Sequence, residues 1–157
     1  MLMEIRKYIQ GEGKKLRSLQ IETIKSINSK DHSTSKINFW ISPKNMDLDY
    51  YLKNLERNLT FVALIDGIIV GFGDLNENGE IKRLYTHKEY QRRGIASAIL
   101  NKLEEEAKKR GFERITLEST ISAKLFYESK GFVFLNKKVE IVNGIKGEVF
   151  NMEKELG

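Results

Sequence analysis

Residues 91–96 read Gln-Arg-Arg-Gly-Ile-Ala and lie where a strand-like apolar stretch, residues 81–86, runs into a long amphipathic pattern. The first N–H groups of a helix have no partner within the helix and lie at the positive end of its dipole, so they favour an anion, usually a phosphate. Gly94 at this junction allows the backbone to form a nest of such donors. Arg92 and Arg93 add two positive charges at the same place. The segment therefore predicts a phosphate-binding site.

The sequence lacks the residues that several other kinds of catalytic or metal site require. Cysteine is absent, which excludes disulfides, thiolate nucleophiles and thiolate metal sites. The two histidines, His32 and His87, are far apart and do not have the spacing of metal ligands. No Ser-His-Asp arrangement is indicated. We therefore predict neither a metal site nor a covalent thiol mechanism.

Length and charge limit the class of protein. The chain has 157 residues, the size of one domain, and we predict a single domain over residues 1–157. It has no apolar run of about 18 residues that could span a membrane, and its start lacks the apolar core of a signal peptide. With the absence of cysteine, this favours a cytoplasmic location. The net charge of 27 − 22 = +5 is mild and the charges are interspersed, which speaks against a nucleic-acid partner.

The spacing of apolar residues predicts the elements of the first third of the chain. Residues 4–9 are typical of a strand, and residues 12–28 and 47–58 have the apolar spacing of helices. The segment 28–45 is polar and rich in serine and lysine, so we predict a long loop or lid there. An aromatic anchor within it is formed by Phe39, Trp40 and Ile41.

Three antiparallel strands are predicted in the middle of the chain. The apolar runs 61–65 and 68–72 flank Asp66-Gly67, and an Asp-Gly pair in that position is a strong hairpin signal. A third strand covers residues 80–87. Its apolar residues Ile81 and Leu84 are three apart and cannot share one face of a regular strand. Either a β-bulge between them restores the pattern, or both faces of the strand are buried.

The remaining pattern completes an α/β (α+β) fold with a mixed sheet. A main helix is predicted over residues 93–110, with Gly111 as its C-terminal cap. The later elements are a strand over 114–118, a helix over 121–130 and two strands over 132–142 and 145–153, joined through Asn143 and Gly144. The order β-α-α-β-β-β-α-β-α-β-β contains about seven strands and about four helices.

Two motifs on these elements resemble a known family. The GCN5-related N-acetyltransferase (GNAT) superfamily has Gln/Arg-x-x-Gly-x-Gly/Ala at a strand-to-helix junction, and Gln91, Gly94 and Ala96 occupy its defined positions. Residues 125–132, Leu-Phe-Tyr-Glu-Ser-Lys-Gly-Phe, are similar to the family's Phe-Tyr-Glu-x-x-Gly-Phe segment. The resemblance covers residues 61–152 and is closest to uncharacterised bacterial small-molecule acetyltransferases. It implies a mostly antiparallel sheet.

The resemblance implies acetyl-CoA as cosubstrate, without a metal. Main-chain groups of Leu84, Tyr85 and Thr86 would pair with the pantetheine arm. The family often has an asparagine after the 114–118 strand, and here Ser122 would take its place. The pyrophosphate would bind the segment made up of Gln91, Arg92, Arg93, Gly94, Ile95, Ala96 and Ser97.

The resemblance also implies catalytic roles. A primary amine arrives protonated, must lose its proton, and attacks the thioester directly in a ternary complex. Tyr127 matches the family's tyrosine that stabilises or protonates the leaving thiolate; a phenol is a weaker acid than a thiol, so hydrogen bonding is its main expected role. Glu80 is the predicted base. Its alternatives are Asp74, Glu118 and His87.

The partners follow from this assignment. The acceptor is predicted to be a small-molecule amine, and a protein amine fits as well. It would bind near the first two helices and segment 28–45, where aromatic residues either line a pocket or pack as core: Phe39, Trp40, Tyr50 and Tyr51. The alternative functions are a CoA-binding module without turnover and a small nucleic-acid binder. The last two strands offer an edge for a homodimer.

Overall fold

The computed structural model describes residues 2–27, 30, 32–142 and 144–157 of the chain. Two predicted boundaries, the helix end at Asn28 and the last turn at Asn143, lie outside the described residues. The elements are β1 (Met3–Lys7), α1 (Gly13–Ser26), α2 (Thr34–Trp40), α3 (Leu48–Arg57), β2 (Leu59–Ile65), β3 (Ile68–Leu75), β4 (Glu80–Thr86), a 3₁₀ turn (Lys88–Tyr90), α4 (Ile95–Lys109), β5 (Arg114–Ser119), α5 (Ile121–Ser129), β6 (Val133–Val142) and β7 (Ile145–Glu155).

The seven strands form one mixed sheet in the order β1-β2-β3-β4-β5-β7-β6. Neighbouring strands are antiparallel except β4 and β5, which are parallel, and this confirms the predicted fold class. Within the described residues, β4 pairs with β5 only through Glu80 opposite Thr116 and Ile81 opposite Leu117. The two strands then separate, which opens the sheet beside the second half of β4.

Helices cover both faces of the sheet. The buried face of α4 includes Ile99, Leu100 and Leu103, while α1 and α3 pack on the opposite face. Strand β2 is buried on both sides because alternate residues enter the two clusters. Removing each large apolar side chain from water contributes roughly 1.5–3 kcal/mol. No helix among the described residues is long and apolar enough to cross a bilayer.

Close packing of α4 on β3 sets the position of the strand-to-helix junction. A Cβ atom at Gly71 would lie 2.9 Å from Cγ2 of Ile95 and 3.1 Å from Cδ1 of Ile99, both on α4. Such contacts are too short for a side chain, so glycine at this position lets the first two turns of α4 approach the strand. The start of α4 is therefore fixed against the core.

The segment predicted as a loop contains a helix. Ser33 caps α2 by accepting a hydrogen bond from the N–H of Lys36 at 3.2 Å, and Ile37 is buried. The prediction of a continuous loop over 28–45 is therefore wrong, and the described part of the chain contains five α-helices instead of four. With seven residues, α2 is too short for apolar periodicity to reveal.

The predicted β-bulge is confirmed. Asp74 pairs with Arg83 and Leu75 pairs with Ile81, so Lys82 is an extra residue in β4. As a result, Ile81 and Leu84 both contact the core cluster under α4. The break in alternation thus reflects an inserted residue, and a strand buried on both faces is not needed to explain it.

Candidate active site

The junction between β4 and α4 presents backbone donors without helical partners. Gly94 is the N-cap residue of α4 and has φ 76°, in the left-handed region. The N–H of Ala98 donates to the Gly94 carbonyl at 3.0 Å and makes the first bond of the helix. The N–H groups of Ile95, Ala96 and Ser97 precede that bond, and no hydrogen bond among the described residues uses them. They remain available to an anion at the positive end of the helix dipole.

The space in front of this junction is open. A Cβ atom built on Gly94 would meet no other atom within 4 Å. Arg92 is exposed and has φ 61°, a conformation that is uncommon for a residue with a side chain. The guanidinium of Arg93 lies 5.0 Å from the ring centre of Tyr90. The open space in front of Gly94 thus leaves room for an anion beside the start of α4.

Gln91 has a shaping role in this loop. Its Nε2 donates to the carbonyl of Thr86 at 2.7 Å and, at 3.3 Å, to that of His87. The side chain therefore joins the end of β4 to the turn before α4. The Thr86 carbonyl also accepts from Oγ1 of Thr23 at 3.1 Å, so this oxygen is occupied by side chains. These two bonds use Nε2 of Gln91, so a ligand would meet the Oε1 of the side chain or the backbone of this residue.

A cleft of about 140 Å³ lies where β4 and β5 separate. The part of β4 after Ile81 has an edge that no described strand covers; of the three residues predicted to pair with the pantetheine arm, Leu84 and Tyr85 line the cleft and Thr86 does not. The cleft is lined by Ile81, Lys82, Arg83, Leu84, Tyr85, Leu117, Glu118, Ser119, Thr120, Ala123 and Tyr127. The cleft and the free N–H groups at the start of α4 thus follow one another along β4 and the loop that joins it to α4.

Tyr127 joins the cleft from α5. It is half-buried, and its ring makes edge contacts with Phe126 and Phe132 at centroid distances of 5.2 and 5.6 Å. Burial, and to a lesser degree the neighbouring Tyr85, raise the pKa of Tyr127 above its ordinary value near 10. The phenol is therefore protonated at neutral pH and can donate a hydrogen bond into the cleft.

The predicted bases lie at different places. Glu118 lines the cleft, while Glu80 does not, and a carboxylate oxygen of Glu80 accepts from Asn76 at 3.3 Å and lies 3.4 Å from the Lys82 ammonium. His87 lies at the start of the 3₁₀ turn, where its Nδ1 accepts from the N–H of Glu89 at 3.1 Å. Of these three groups, Glu118 is the one in the cleft.

Asp74 is fully buried behind β4. One carboxylate oxygen accepts from Arg83 and, at 3.0 Å, from Asn58, while the other oxygen has no hydrogen-bond partner among the described residues. Burial raises the pKa of Asp74, and Arg83 opposes that rise. A carboxylate in this position cannot meet an amine directly, but it fixes the guanidinium of Arg83.

Ser122 is not among the residues that line the cleft. Its Oγ lies 3.1 Å from Oγ1 of Thr120 and 3.5 Å from Nε2 of His32. Ser119, the last residue of β5, and Thr120, the N-cap of α5, line the cleft instead. Sequence reasoning missed Ser119 and Thr120 because the family pattern indicates only that a polar residue after β5 contacts the pantetheine. It does not indicate which of the hydroxyl residues between 119 and 122 lines the cleft.

The aromatic candidates for the acceptor pocket separate into three environments. Tyr51 is buried and donates to Oε1 of Gln20 at 2.7 Å, whereas Tyr50 is exposed. Phe39 and Trp40 line a small cavity of about 80 Å³ between α2 and β7. The four residues therefore do not form one pocket. No group of three or more potential metal ligands occurs in the described part of the chain.

The sequence and the fold have counterparts among known proteins. The family described as "Acetyltransferase (GNAT) domain" matches residues 28–156. The uncharacterized N-acetyltransferase YafP of Escherichia coli is 30% identical over 130 residues, which is 83% of this chain and 81% of that protein. The chain therefore belongs to the GCN5-related N-acetyltransferase superfamily. It is an acetyl-CoA-dependent acyltransferase.

Two solved structures show how closely the fold is shared. A GCN5-related N-acetyltransferase from Rhodopseudomonas palustris superimposes with a TM-score of 0.88 at 24% identity, covering 99% of this chain and 98% of that one. The PaiA N-acetyltransferase of Thermoplasma acidophilum, in complex with coenzyme A, superimposes with a TM-score of 0.79 at 28% identity, covering 99% of each chain.

Proposed function

We propose that the protein transfers the acetyl group of acetyl-CoA to a primary amine by direct attack in a ternary complex. The observation that carries this proposal is the continuity of the phosphate nest with the cleft that contains Tyr127. A pyrophosphate bound at Gly94 would place the pantetheine arm along the uncovered edge of β4. The thioester would then lie near Leu84 and Tyr85, within reach of Tyr127.

The cleft residues then have distinct roles. The amine nitrogen forms a bond to the acetyl carbon, the carbon–sulfur bond breaks, and the sulfur leaves with the electron pair. Tyr127 stabilises the developing thiolate by hydrogen bonding, because the raised pKa of its phenol makes full proton transfer to sulfur unfavourable. The absence of cysteine leaves no acetyl-cysteine intermediate to consider.

For the base, we propose Glu118 in place of Glu80. Glu118 lines the cleft, while Glu80 lies outside it and is engaged by Asn76 and Lys82. The proton lost by the amine would pass to Glu118 directly or through one water. A CoA-binding module without turnover would use the same nest but would depend on neither Glu118 nor Tyr127.

Calorimetry with acetyl-CoA and with acetyl-pantetheine tests the cofactor half of this proposal. We expect acetyl-CoA to bind and acetyl-pantetheine, which lacks the pyrophosphate and adenosine, to bind at least about 100-fold more weakly, since two or more charge-assisted hydrogen bonds are lost. Equal affinity for the two compounds would contradict the phosphate nest. Release of free CoA in the presence of an amine distinguishes the enzyme from the binding module.

We also propose that β6 forms a homodimer edge. It is the last strand of the sheet, and Leu135, Val139 and Ile141 on it are exposed. Antiparallel pairing about a two-fold axis at Val139 would place Lys138 of each copy opposite Glu140 of the other. Light scattering should then give twice the chain mass, and Val139→Lys should give the monomer mass. A monomer at micromolar concentration in the unmodified protein would refute this assembly.

A further inference from the structure

The bulge in β4 brings two cations together. In a regular strand, consecutive side chains point to opposite faces. Because Lys82 is the extra residue, Ile81 and Leu84 both contact the core under α4, and Lys82 and Arg83 lie side by side between them. Both basic residues line the cleft that contains Tyr127.

The same two residues also line a second, larger cavity. It measures about 350 Å³ and opens beside α3 and the β3–β4 turn. Four amides and one further cation contribute to its wall: Asn54, Asn58, Asn76, Asn78 and Arg57. Since Lys82 and Arg83 belong to both linings, they form the boundary between the cleft and this cavity, which we call the asparagine cavity. A molecule with its amine in the cleft could extend its other end into the asparagine cavity.

Arg83 is held in a fixed position at this boundary. Its guanidinium is paired with the buried Asp74 and lies 4.7 Å from the ring centre of Tyr51, and the side chain is 15% exposed. A guanidinium has five N–H donors in a planar fork, so the bond to one oxygen of Asp74 leaves others for a ligand. A fixed fork of this kind is well suited to an oxyanion.

Lys82 and Arg57 add two positive charges on side chains that are held less firmly than that of Arg83. The Lys82 side chain is 46% exposed and lies 3.4 Å from Glu80, and exposed pairs of this kind contribute little, so its ammonium can turn to a ligand. Arg57, at the end of α3, is exposed and forms no ion pair among the described residues.

Carboxylates also face this region. Glu77 belongs to the cavity wall, Glu80 accompanies Lys82, and Asp74 lies behind Arg83 with its pKa raised by burial. The wall itself contains three cations against the single carboxylate of Glu77, together with the amide donors of the asparagines. The excess of positive charge and of hydrogen-bond donors in the wall therefore favours a ligand group that is rich in hydrogen-bond acceptors.

We infer that the acceptor carries an oxyanion, a carboxylate or a phosphate, which binds in the asparagine cavity while its amine lies in the cleft. This inference rests on the proposed acetyl transfer and specifies its substrate class. Lys82 and Arg83 would then determine specificity, because they lie between the reacting amine and the far end of the substrate.

The test compares matched acceptors at saturating acetyl-CoA. To test for a carboxylate, amino acids are compared with the corresponding amino acid amides. To test for a phosphate, phosphoethanolamine is compared with ethanolamine. We expect at least one oxyanion acceptor to exceed its uncharged partner about tenfold in kcat/KM, the effect of one good hydrogen bond to a charged group. Lys82→Gln should reduce that ratio about tenfold, while Lys53→Gln, an exposed lysine on α3 outside both cavities, should leave it unchanged.

The possible results separate this inference from the proposed function. If acetyl-CoA binds but the uncharged amines are acetylated as well as the oxyanions, or no oxyanion acceptor is acetylated, the inference is wrong and the cofactor site stands. If Lys82→Gln binds acetyl-CoA normally but keeps the full preference, Lys82 does not recognise the anion and the inference is again wrong. Failure of the unmodified protein to bind acetyl-CoA would instead contradict the proposed function.

Discussion

Replacement of Gly94 by valine is expected to weaken acetyl-CoA binding by at least about 100-fold. A Cβ at this position meets no atom of the protein within 4 Å, so the new side chain would extend into the space that an anion needs. Loss of two charge-assisted hydrogen bonds from the start of α4 accounts for an effect of this size. Calorimetric titration of the variant with acetyl-CoA measures it directly.

A control is required because Gly94 has a positive φ, and any side chain there is strained by about 1–3 kcal/mol. Gly67, in the β2–β3 hairpin, has φ 77° against 76° for Gly94, and a Cβ on it also meets nothing within 4 Å. Gly67→Val should therefore lose similar thermal stability and keep its affinity for acetyl-CoA. Equal affinities in the two variants would show that the space before α4 is not the phosphate site.

Tyr127→Phe is expected to lower kcat about 100-fold, with less than a threefold change in the KM for acetyl-CoA. Removal of one donor to a developing negative charge typically has a kinetic effect of this order. The ring contacts with Phe126 and Phe132 persist in the variant, so the fold should be retained. Tyr8→Phe is the matched control, because Tyr8 is also half-buried but packs in the cluster on the opposite face of the sheet.

The pH dependence of turnover tests the state of Tyr127. Burial raises the pKa of this phenol, so the donor form persists as pH rises through 10, the ordinary pKa of tyrosine. The unmodified enzyme should therefore show no loss of rate from Tyr127 ionisation below pH 10. An alkaline decline present in the enzyme and missing in Tyr127→Phe would show that the phenol ionises in that range.

The same assay compares the two candidate bases. Removal of the base should slow turnover, because the amine then has no group to accept its proton before it attacks the thioester. Glu118→Gln should remove most of the turnover. Glu80→Gln should retain more activity, because Glu80 lies outside the cleft. The reverse order would restore Glu80 as the base.

The order of the main elements could be predicted from sequence because their signals are local. Apolar spacing indicates α1, α3 and α4, and Asp66-Gly67 indicates the β2–β3 hairpin. The start of α4 was predicted two residues too early, at residue 93, because apolar spacing does not show that Gly94 adopts a left-handed conformation before the helix begins at Ile95.

Features that depend on contacts between distant segments could not be predicted. The helix α2 is too short for periodicity and depends on packing against β7. The break between Ile81 and Leu84 indicated a bulge, but the shared lining formed by Lys82 and Arg83 also required the position of α3. The separation of Glu80 from the cleft likewise follows from where β4 and β5 part, which no single segment encodes.

The pairing of β4 with β5 is only two residues long in the described structure, and this affects how the sheet opens on unfolding. Among the described residues, β4 pairs with β5 through Glu80 and Ile81, and the N–H of Thr116 in β5 also donates to the carbonyl of Gly79, just before β4, at 3.0 Å. Most of the cohesion between these halves comes from side chains that meet beneath α4, including Leu103, Ile115 and Leu117. A pantetheine arm lying along β4 would supply hydrogen-bond partners for the backbone of β4 where this strand separates from β5. Cosubstrate binding should therefore add backbone contacts across a junction that side chains otherwise hold together, and so raise the free energy needed to open the sheet there.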